Sequence, residues 1–212
     1  MTLKEATKYC KICFNQINNH SLYSLFHEDN LICEKCFSSL KATFINFKIG
    51  NIDSLAIYNY DDTIKKLIYA FKGCYDYELK DIFLNRYINY LKMKYVGFVI
   101  VPIPSSEIDD LKRGFNHVKE MFSALRLPYI DVLRKNTDEK QSSKNSKDRL
   151  NIENVLVSEN IELLCGKKVL IVDDIYTTGA TMFRAIQLVK KGKPKTIKVL
   201  VIAKTIDLKK RK

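Results

Sequence analysis

Short apolar runs and helical patterns alternate along most of the chain. Runs rich in Val, Ile and Leu suit strands of a parallel sheet that is buried on both faces. These runs are Leu55–Tyr60, Val96–Val101, Val169–Val172 and Ile197–Ala203. Between them, apolar residues recur three and four positions apart, as they do on one face of a helix. The alternation predicts an α/β fold in which a parallel sheet is flanked by helices.

Caps and periodicity predict where these helices begin and end. Asp61 or Asp62 can cap a first helix, which Gly73 ends. A second helix is predicted over Leu79–Lys94, and a third begins within Lys112–His117 and runs to Leu125. The apolar face of the first helix consists of Ile64, Leu67, Ile68 and Phe71. That of the last predicted helix consists of Met182, Phe183, Ala185, Ile186, Leu188 and Val189.

Two adjacent carboxylates follow the apolar run Val169–Val172. Ligands of open α/β sheets bind beyond the carboxyl ends of the strands, so we expect Asp173 and Asp174 to accept hydrogen bonds from sugar hydroxyls. The turn that follows consists of Thr177, Thr178, Gly179, Ala180 and Thr181. It leads into a helix whose unpaired N–H groups would stabilise a phosphate dianion. The pattern therefore predicts a site for a phosphorylated sugar.

A simpler interpretation is that Asp174 or Thr178 only caps the following helix. Capping explains one polar residue and leaves the remaining acids, threonines and glycine unexplained. The seven glycines form neither Gly-x-x-x-x-Gly-Lys-Ser/Thr nor Gly-x-Gly-x-x-Gly, the motifs of nucleoside triphosphate and dinucleotide sites. We therefore favour the sugar-phosphate interpretation.

Two further loops belong to the predicted sheet. Pro102-Ile103-Pro104 ends the strand Val96–Val101, because proline cannot donate to a ladder. Ser105 and Ser106 then lie at its carboxyl end, where backbone amides and hydroxyls can receive a pyrophosphate. The polar stretch Arg134–Arg149 has no apolar periodicity and predicts a long loop. It is either a basic lid over an anionic ligand or a solvated linker.

Two Cys-x-x-Cys pairs stand near the start of the chain. Cys10 with Cys13 and Cys33 with Cys36 are separated by 19 residues, a spacing that matches a four-thiolate zinc site. With four protein ligands the metal would be structural, and its binding would supply the folding free energy of a segment too small to bury a core. Disulfide bonds are the alternative. Cys74 and Cys165 are isolated, and we expect ordinary half-buried thiols there.

Charge and length add partners and boundaries. The net charge is +12, and residues 187–212 carry ten Lys/Arg against one acid. Such an excess attracts polyanions, nucleic acid above all, although a solvated lysine-rich surface explains it equally well. The 212 residues suit a zinc-ribbon module at 1–48 and a larger domain at 49–212. With neither a leader pattern nor a transmembrane segment in the sequence, we expect a cytoplasmic protein.

The chain resembles the ComF family of natural competence proteins, which pair a zinc ribbon with a type I phosphoribosyltransferase fold. Besides the cysteines, the resemblance is carried by Phe71-Lys72-Gly73, Val101–Pro104, Arg113-Gly-Phe-Asn116, Leu133-Arg134, Gln141, Arg149 with Asn151, and the run from Asp173 to Thr181. One departure is His117, where glutamine is usual in the family.

The resemblance implies that Asp173 and Asp174 hold the ribose hydroxyls of 5-phosphoribosyl-1-pyrophosphate (PRPP). It also implies that Thr177 to Thr181 hold the 5-phosphate, that the loop with Ser105 and Ser106 holds the pyrophosphate, and that Mg²⁺ bridges diphosphate and ribose oxygens. The family is linked to uptake of single-stranded DNA in transformation, on the cytoplasmic side of the inner membrane. The resemblance therefore implies a competence helicase or DNA-processing protein as partner. It also implies a peripheral position at that membrane through such partners.

Three functions fit these expectations. In the first, a phosphoribosyltransferase moves the sugar from PRPP to an acceptor, with Lys72, Arg113 and Arg149 as the catalytic cations that stabilise the leaving pyrophosphate. In the second, the protein binds PRPP and carries single-stranded DNA to its partners without turnover. In the third, it is an adaptor with a vestigial sugar site, which the complete run of site residues argues against.

Overall fold

The computed structural model describes residues 8–17, 31–135 and 156–205. The main sheet has five strands in the order β1-β2-β7-β6-β3. They are β1 (Ile45–Ile49), β2 (Ile52–Asn59), β3 (Phe98–Pro102), β6 (Lys168–Tyr176) and β7 (Thr196–Lys204). A second sheet of two strands consists of β4 (Leu133–Lys135) and β5 (Leu156–Ser158). All four strands predicted from apolar runs are present in the main sheet.

The main sheet is parallel except at one edge. Strands β2, β7, β6 and β3 are parallel to one another, whereas β1 pairs with β2 in the antiparallel direction. A hairpin causes this difference from the predicted parallel sheet. Only Gly50 and Asn51 separate the paired residues Ile49 and Ile52, and Gly50 has a φ of 58°. A connection this short can join only antiparallel strands.

Helices cover both faces of the sheet, as the apolar runs predict. Alternate residues of β6 divide between two hydrophobic clusters, with Leu170 and Val172 on one face and Val169 and Ile171 on the other. The helices are α1 (Glu34–Leu40), α2 (Asp62–Gly73), α3 (Ile88–Lys94), α4 (Glu107–Arg113), α5 (His117–Phe122) and α6 (Ala180–Lys191). Helices α2 and α5 pack on the face of Leu170, and α6 packs on the opposite face.

The first predicted helix is confirmed and the second is wrong. Asp61 caps α2, since its Oδ1 accepts the Ile64 N–H at 2.9 Å. The single helix predicted over residues 79–94 is instead two 3₁₀ turns, Tyr77–Asp81 and Asn85–Tyr87, followed by α3. Three consecutive residues, Ile82, Phe83 and Leu84, are all buried. A regular α-helix at the surface of the sheet would turn one of the three towards water, so the chain adopts turns here.

The third predicted helix begins at His117, the last residue of the segment expected to open it. Gly114 has a φ of 81° and ends α4, and Asn116 starts a new helix because its Oδ1 accepts the Lys119 N–H at 2.9 Å. The segment 112–116 is therefore a helix end and a connection. Helix α5 runs to Phe122, and a 3₁₀ turn continues to Leu125.

The cysteine-containing segment packs directly on the larger domain. Cys10, Cys36 and Leu40 belong to the same buried cluster as Ile57 and Leu84. Strand β1 begins at residue 45, before the boundary proposed at 48/49, and it is hydrogen-bonded into the main sheet. In the described ranges, no helix combines the length and apolar character that a bilayer span requires.

Candidate functional site

The acidic pair lies inside β6 rather than beyond its end. The strand continues to Tyr176, four residues past the predicted limit at Val172. Side chains of successive strand residues point to opposite faces of a sheet. Asp174 therefore lies on the face of α2 and α5, and Asp173 lies on the face of the turn that leads into α6. Both nevertheless border one cavity of about 320 Å³.

Asp174 is buried and fully engaged by protein groups. Its Oδ2 accepts the Lys72 ammonium at 2.7 Å and lies 3.3 Å from His117 Nε2, while its Oδ1 accepts the Ile175 N–H at 2.7 Å. Burial alone would raise the pKa of Asp174, but the hydrogen bond from His117 and the charge of Lys72 outweigh it and hold the pKa well below its usual range. Asp174 is thus a stable carboxylate at neutral pH.

Asp173 has the opposite electrostatic environment. Burial and the neighbouring negative charge of Asp174 raise the pKa of Asp173 well above its usual range. One oxygen, Oδ1, accepts the Asp174 N–H at 2.9 Å, and the second accepts no hydrogen bond from the described residues. The half-buried Asp173 is therefore the member of the pair with an oxygen open to a ligand hydroxyl.

Arg113 and His117 support Asp174 from behind. Arg113 Nη1 lies 2.9 Å from Asp110 Oδ1 and 3.1 Å from His117 Nδ1, and its Nε donates to the Lys72 carbonyl at 2.9 Å. Because a guanidinium only donates, His117 Nδ1 must accept, and the imidazole hydrogen lies on Nε2, facing Asp174. The side chain of Arg113 is only 5% exposed, so its charge interacts mainly with the groups of this network.

The serine loop contributes unequally to the cavity. Ser105 donates its hydroxyl hydrogen to Asp110 Oδ2, and the Asn116 amide donates to the Ser105 oxygen at 3.0 Å. The Ser105 hydroxyl is therefore used within the protein. Ser105 and Ser106 both border the same cavity as the acidic pair, but only the Ser106 hydroxyl forms no hydrogen bond within the described residues, and Lys72 forms part of the wall. Arg149, the third candidate cation, lies outside the described residues.

The threonine turn forms a small cradle next to the acidic pair. Residues 177 to 181 line a depression of about 50 Å³, and Asp173 and Thr181 border both this depression and the larger cavity. Gly179 has a φ of 81°, and a Cβ there would collide with the Tyr176 ring. The turn can therefore adopt this shape only with glycine. It leads directly into α6, whose first amides have no partner within the helix and would stabilise an anion in the cradle.

The four cysteines of the two pairs converge as predicted for a metal site. The sulfur atoms of Cys10, Cys13, Cys33 and Cys36 lie within 4.8 Å of one another, and the Cys13 and Cys33 sulfurs are 3.7 Å apart. Tetrahedral Zn²⁺ with bonds of about 2.3 Å places its ligand sulfurs about 3.8 Å apart. All four are free thiols rather than disulfides. The cluster could thus bind a zinc ion without rearrangement of the chain.

Backbone amides prepare one of these thiols for a metal. Burial alone would raise the pKa of Cys10, but the N–H groups of Cys13, Cys33 and Ile12 donate to its sulfur and lower the pKa to about 7. Burial and the three other thiols raise the pKa of Cys36. A divalent cation would stabilise the charged form of all four side chains, because each ligand binds it as the thiolate. Cys74 and Cys165 are exposed, not half-buried as expected, because each lies at the end of a helical turn on the surface.

Several known proteins are similar to this chain in sequence. Residues 93–212 match the phosphoribosyl transferase domain family. The chain is 33% identical to competence protein ComFC of Streptococcus pneumoniae over 150 residues, which are 70% of this chain and 67% of that protein. It is also 33% identical to ComFC of Bacillus subtilis over 145 residues, which are 67% of this chain and 60% of that protein.

The chain belongs to the ComF family of phosphoribosyltransferase-like proteins.

Two further similarities are to named phosphoribosyltransferases. Hypoxanthine-guanine phosphoribosyltransferase of Bos taurus is 39% identical over 99 residues, 42% of this chain and 43% of that protein. Adenine phosphoribosyltransferase of Saccharomyces cerevisiae aligns in structure over 82% of this chain and 89% of that chain, with 16% identity and a TM-score of 0.39.

The support network of this ComF site is the part that sequence reasoning missed. His117 was noted only as a departure from the family pattern, yet its ring joins Arg113 to the buried Asp174. Asp110 was not singled out, although it accepts from Ser105, Arg113 and Asn116. The available signal was the Gly114 and Asn116 spacing, which predicts a helix end followed by a cap and would have brought His117 into the first turn of α5.

Proposed function

We propose that this ComF protein binds PRPP in the cavity beside β6 and acts in natural transformation, where it assists the handling of single-stranded DNA at the cytoplasmic side of the inner membrane. Asp173 accepts the ribose hydroxyls, and the turn from Thr177 to Thr181 binds the 5-phosphate. Ser106 and the backbone of the loop after Pro104 receive the pyrophosphate, and a Mg²⁺ ion bound together with PRPP would offset the charge of the diphosphate. The four cysteines bind a structural Zn²⁺.

One observation carries the proposal about PRPP. The open oxygen of Asp173 and the threonine cradle adjoin each other, and both border the cavity that Lys72 and Ser106 also line. The arrangement puts an acceptor for hydroxyls, Asp173, at the border between the amides that attract phosphate and the larger cavity. A ligand with hydroxyls next to a phosphate fits both, so the arrangement favours a sugar phosphate over a simple sugar or an inorganic anion.

Calorimetric titration of PRPP in the presence of Mg²⁺ tests the proposal. We expect saturable binding by the unsubstituted chain and none by Asp173→Asn, which retains the shape of the side chain but weakens acceptance from two hydroxyls. Asp53→Asn is the matched control, because Asp53 is an exposed acid near the start of β2 and does not border the sugar cavity. If PRPP gives no heat with the unsubstituted chain, the sugar-phosphate site is wrong. If Asp173→Asn binds as well as the control, the ribose lies elsewhere.

Turnover of PRPP is the second candidate function, and Lys72 favours it. Its ammonium borders the cavity, 42% exposed, where it can approach the charge that develops on a leaving pyrophosphate. Arg113 is more deeply buried and acts through Asp110 and His117. Pyrophosphate release with Mg²⁺, PRPP and a panel of bases separates the two functions. Release with any acceptor, abolished in Lys72→Met, would establish an enzyme, and saturable binding without release would establish a binder.

A further inference from the structure

A second and larger cavity lies beside the sugar site on the other side of Lys72. It measures about 620 Å³, within the range of ligand-binding clefts. Its floor is apolar and consists of the buried Ile68, with Ile175 and Tyr60 from the ends of β6 and β2. We call it the α2 groove, because one face of helix α2 forms its wall.

The wall of the α2 groove carries polar and aromatic side chains at helical spacing. Asp62, Lys65, Lys66, Tyr69, Lys72 and Gly73 all line it. Their positions differ by three, four and seven, so they share one face of the helix. The opposite face of α2, with Ile64, Leu67 and Phe71, is buried in the core. Nothing in the packing of the domain therefore requires lysine or tyrosine on the groove side.

Tyr69 is poorly explained as a packing residue. Its side chain is 67% exposed, although tyrosine has a large apolar ring. The ring lies against Gly73, where an added Cβ would stand 2.9 Å from Tyr69 Cε2. The absence of a side chain at Gly73 thus lets the ring lie close along the helix. An exposed ring in this place provides a flat surface on which a base can stack.

Lys65 and Lys66 supply charge on the same face. Both are exposed, and neither forms an ion pair within the described ranges. Asp62 is the acid in the lining, and its carboxylate can accept a hydrogen bond from an exocyclic amino group. Lysines beside an aromatic platform form the pattern of sites for single-stranded nucleic acid, in which the backbone follows the charge and the bases stack.

We propose that the α2 groove binds an unstacked nucleotide of single-stranded DNA, with its base on Tyr69 and the adjoining phosphates near Lys65 and Lys66. The proposal deepens the proposed function, because it places the DNA on a surface that adjoins the sugar site and shares Lys72 with it. Charge alone would favour the lysine-rich segment 187–212 as the principal contact with DNA. In this proposal the segment is an additional contact.

Anisotropy titrations of a labelled oligothymidylate at several salt concentrations test the groove. We expect Tyr69→Ala to weaken binding about tenfold, and Tyr69→Phe to bind as the unsubstituted protein does, because it retains the ring. Tyr90→Ala is the matched control, since Tyr90 is 50% exposed and lies outside the groove. We expect Lys65→Ala with Lys66→Ala to reduce the salt slope by about 1.4, the share of two phosphates on a single strand. Lys190→Ala with Lys191→Ala should change it less.

The outcomes separate this proposal from the proposed function. If Tyr69→Ala binds the oligonucleotide as tightly as Tyr90→Ala does, the groove is wrong and the DNA handling stands. If the unsubstituted protein does not bind the oligonucleotide at all, both the groove and the DNA handling are overturned. Photocrosslinking with 5-bromouracil gives an independent readout, since the groove predicts a crosslinked peptide that contains Tyr69. PRPP titration of Tyr69→Ala should be unchanged, because the ring does not border the sugar cavity.

Discussion

Replacement of each acid of the adjacent pair by asparagine should change stability in opposite directions. Asp174 lies 2.7 Å from the Lys72 ammonium and 3.3 Å from His117, and this environment stabilises its charge. Burial and the neighbouring charge of Asp174 both disfavour a negative charge on Asp173. At pH 7 we therefore expect Asp174→Asn to destabilise the fold and Asp173→Asn to stabilise it. The two substitutions are adjacent and change the shape of the side chain equally little. A stability change of opposite sign in the two variants would therefore report the difference in their electrostatic environments.

The structure sets the size of each effect. Loss of one partner of a buried ion pair costs about 3–5 kcal/mol when the other charge stays buried. Lys72 is 42% exposed and can turn to water, and an asparagine oxygen can still accept from His117, so we expect about 1–2 kcal/mol for Asp174→Asn. Removal of the disfavoured charge at Asp173 should contribute about 1 kcal/mol in the other direction, since a tenfold difference in proton affinity corresponds to about 1.4 kcal/mol.

The pH dependence gives the sign a second check. The folded pKa of Asp174 is depressed, so its stabilising contribution is present above the unfolded pKa and is lost as pH falls through the folded value. The folded pKa of Asp173 is raised, so stability falls as pH rises from the unfolded pKa to the folded one. The advantage of Asp173→Asn should therefore grow with pH above about 4.

Urea unfolding of the three proteins between pH 4 and 8 is the assay. The midpoint of Asp173→Asn should exceed that of the unsubstituted chain at pH 7, and that of Asp174→Asn should lie below it. If both variants are destabilised at pH 7 by the same amount, the pair does not hold its charge on Asp174 and the electrostatic argument is refuted. A change in the denaturant slope would signal an altered native or denatured state and would need separate treatment.

Three further predictions concern the other parts of the site. Chelation or Cys33→Ser should release about one zinc per chain and unfold the cysteine module. Metal analysis and thermal unfolding measure the two effects, and an unchanged melting temperature would contradict the zinc site. Gly179→Ala should weaken PRPP binding at least tenfold in calorimetry, because its φ of 81° and the Tyr176 ring exclude a Cβ; affinity equal to that of the unsubstituted chain would mean that the turn does not bind phosphate. Neutralising residues 209–212, which lie outside the described residues, should weaken oligonucleotide binding and flatten its salt dependence, and the same affinity and slope would remove this tail from the interaction.

Strands and the site loops were predictable from sequence because their signals are local. The apolar run Val169–Val172 identifies a strand buried on both faces, and the turn at Gly179 needs a residue that adopts positive φ. Helix limits were less predictable where tertiary packing decides. Burial of Ile82, Phe83 and Leu84 together replaced a predicted helix by 3₁₀ turns, and nothing in their periodicity indicates this.

The different roles of the two acids were not predictable from their adjacency. Both look equivalent in the sequence, and both were expected to hold ribose hydroxyls. Strand alternation sends Asp174 towards α2 and α5, where Lys72 lies 102 residues away in sequence and His117 lies 57 away. Contacts of this separation depend on the complete sheet topology. The sequence supplies the residues of the network, and only the fold shows which of them meet.

The packing of the cysteine module against the sheet would make occupancy of a metal site at its four thiols a property of the whole molecule. Cys10 and Cys36 share one buried cluster with Ile57 of β2 and Phe83, rather than forming a core of their own. Loss of a bound metal would therefore expose part of the wall of the larger domain. We expect a single calorimetric transition for the metal-bound protein, and oxidation of these thiols should impair the distant sugar cavity without any direct contact with it.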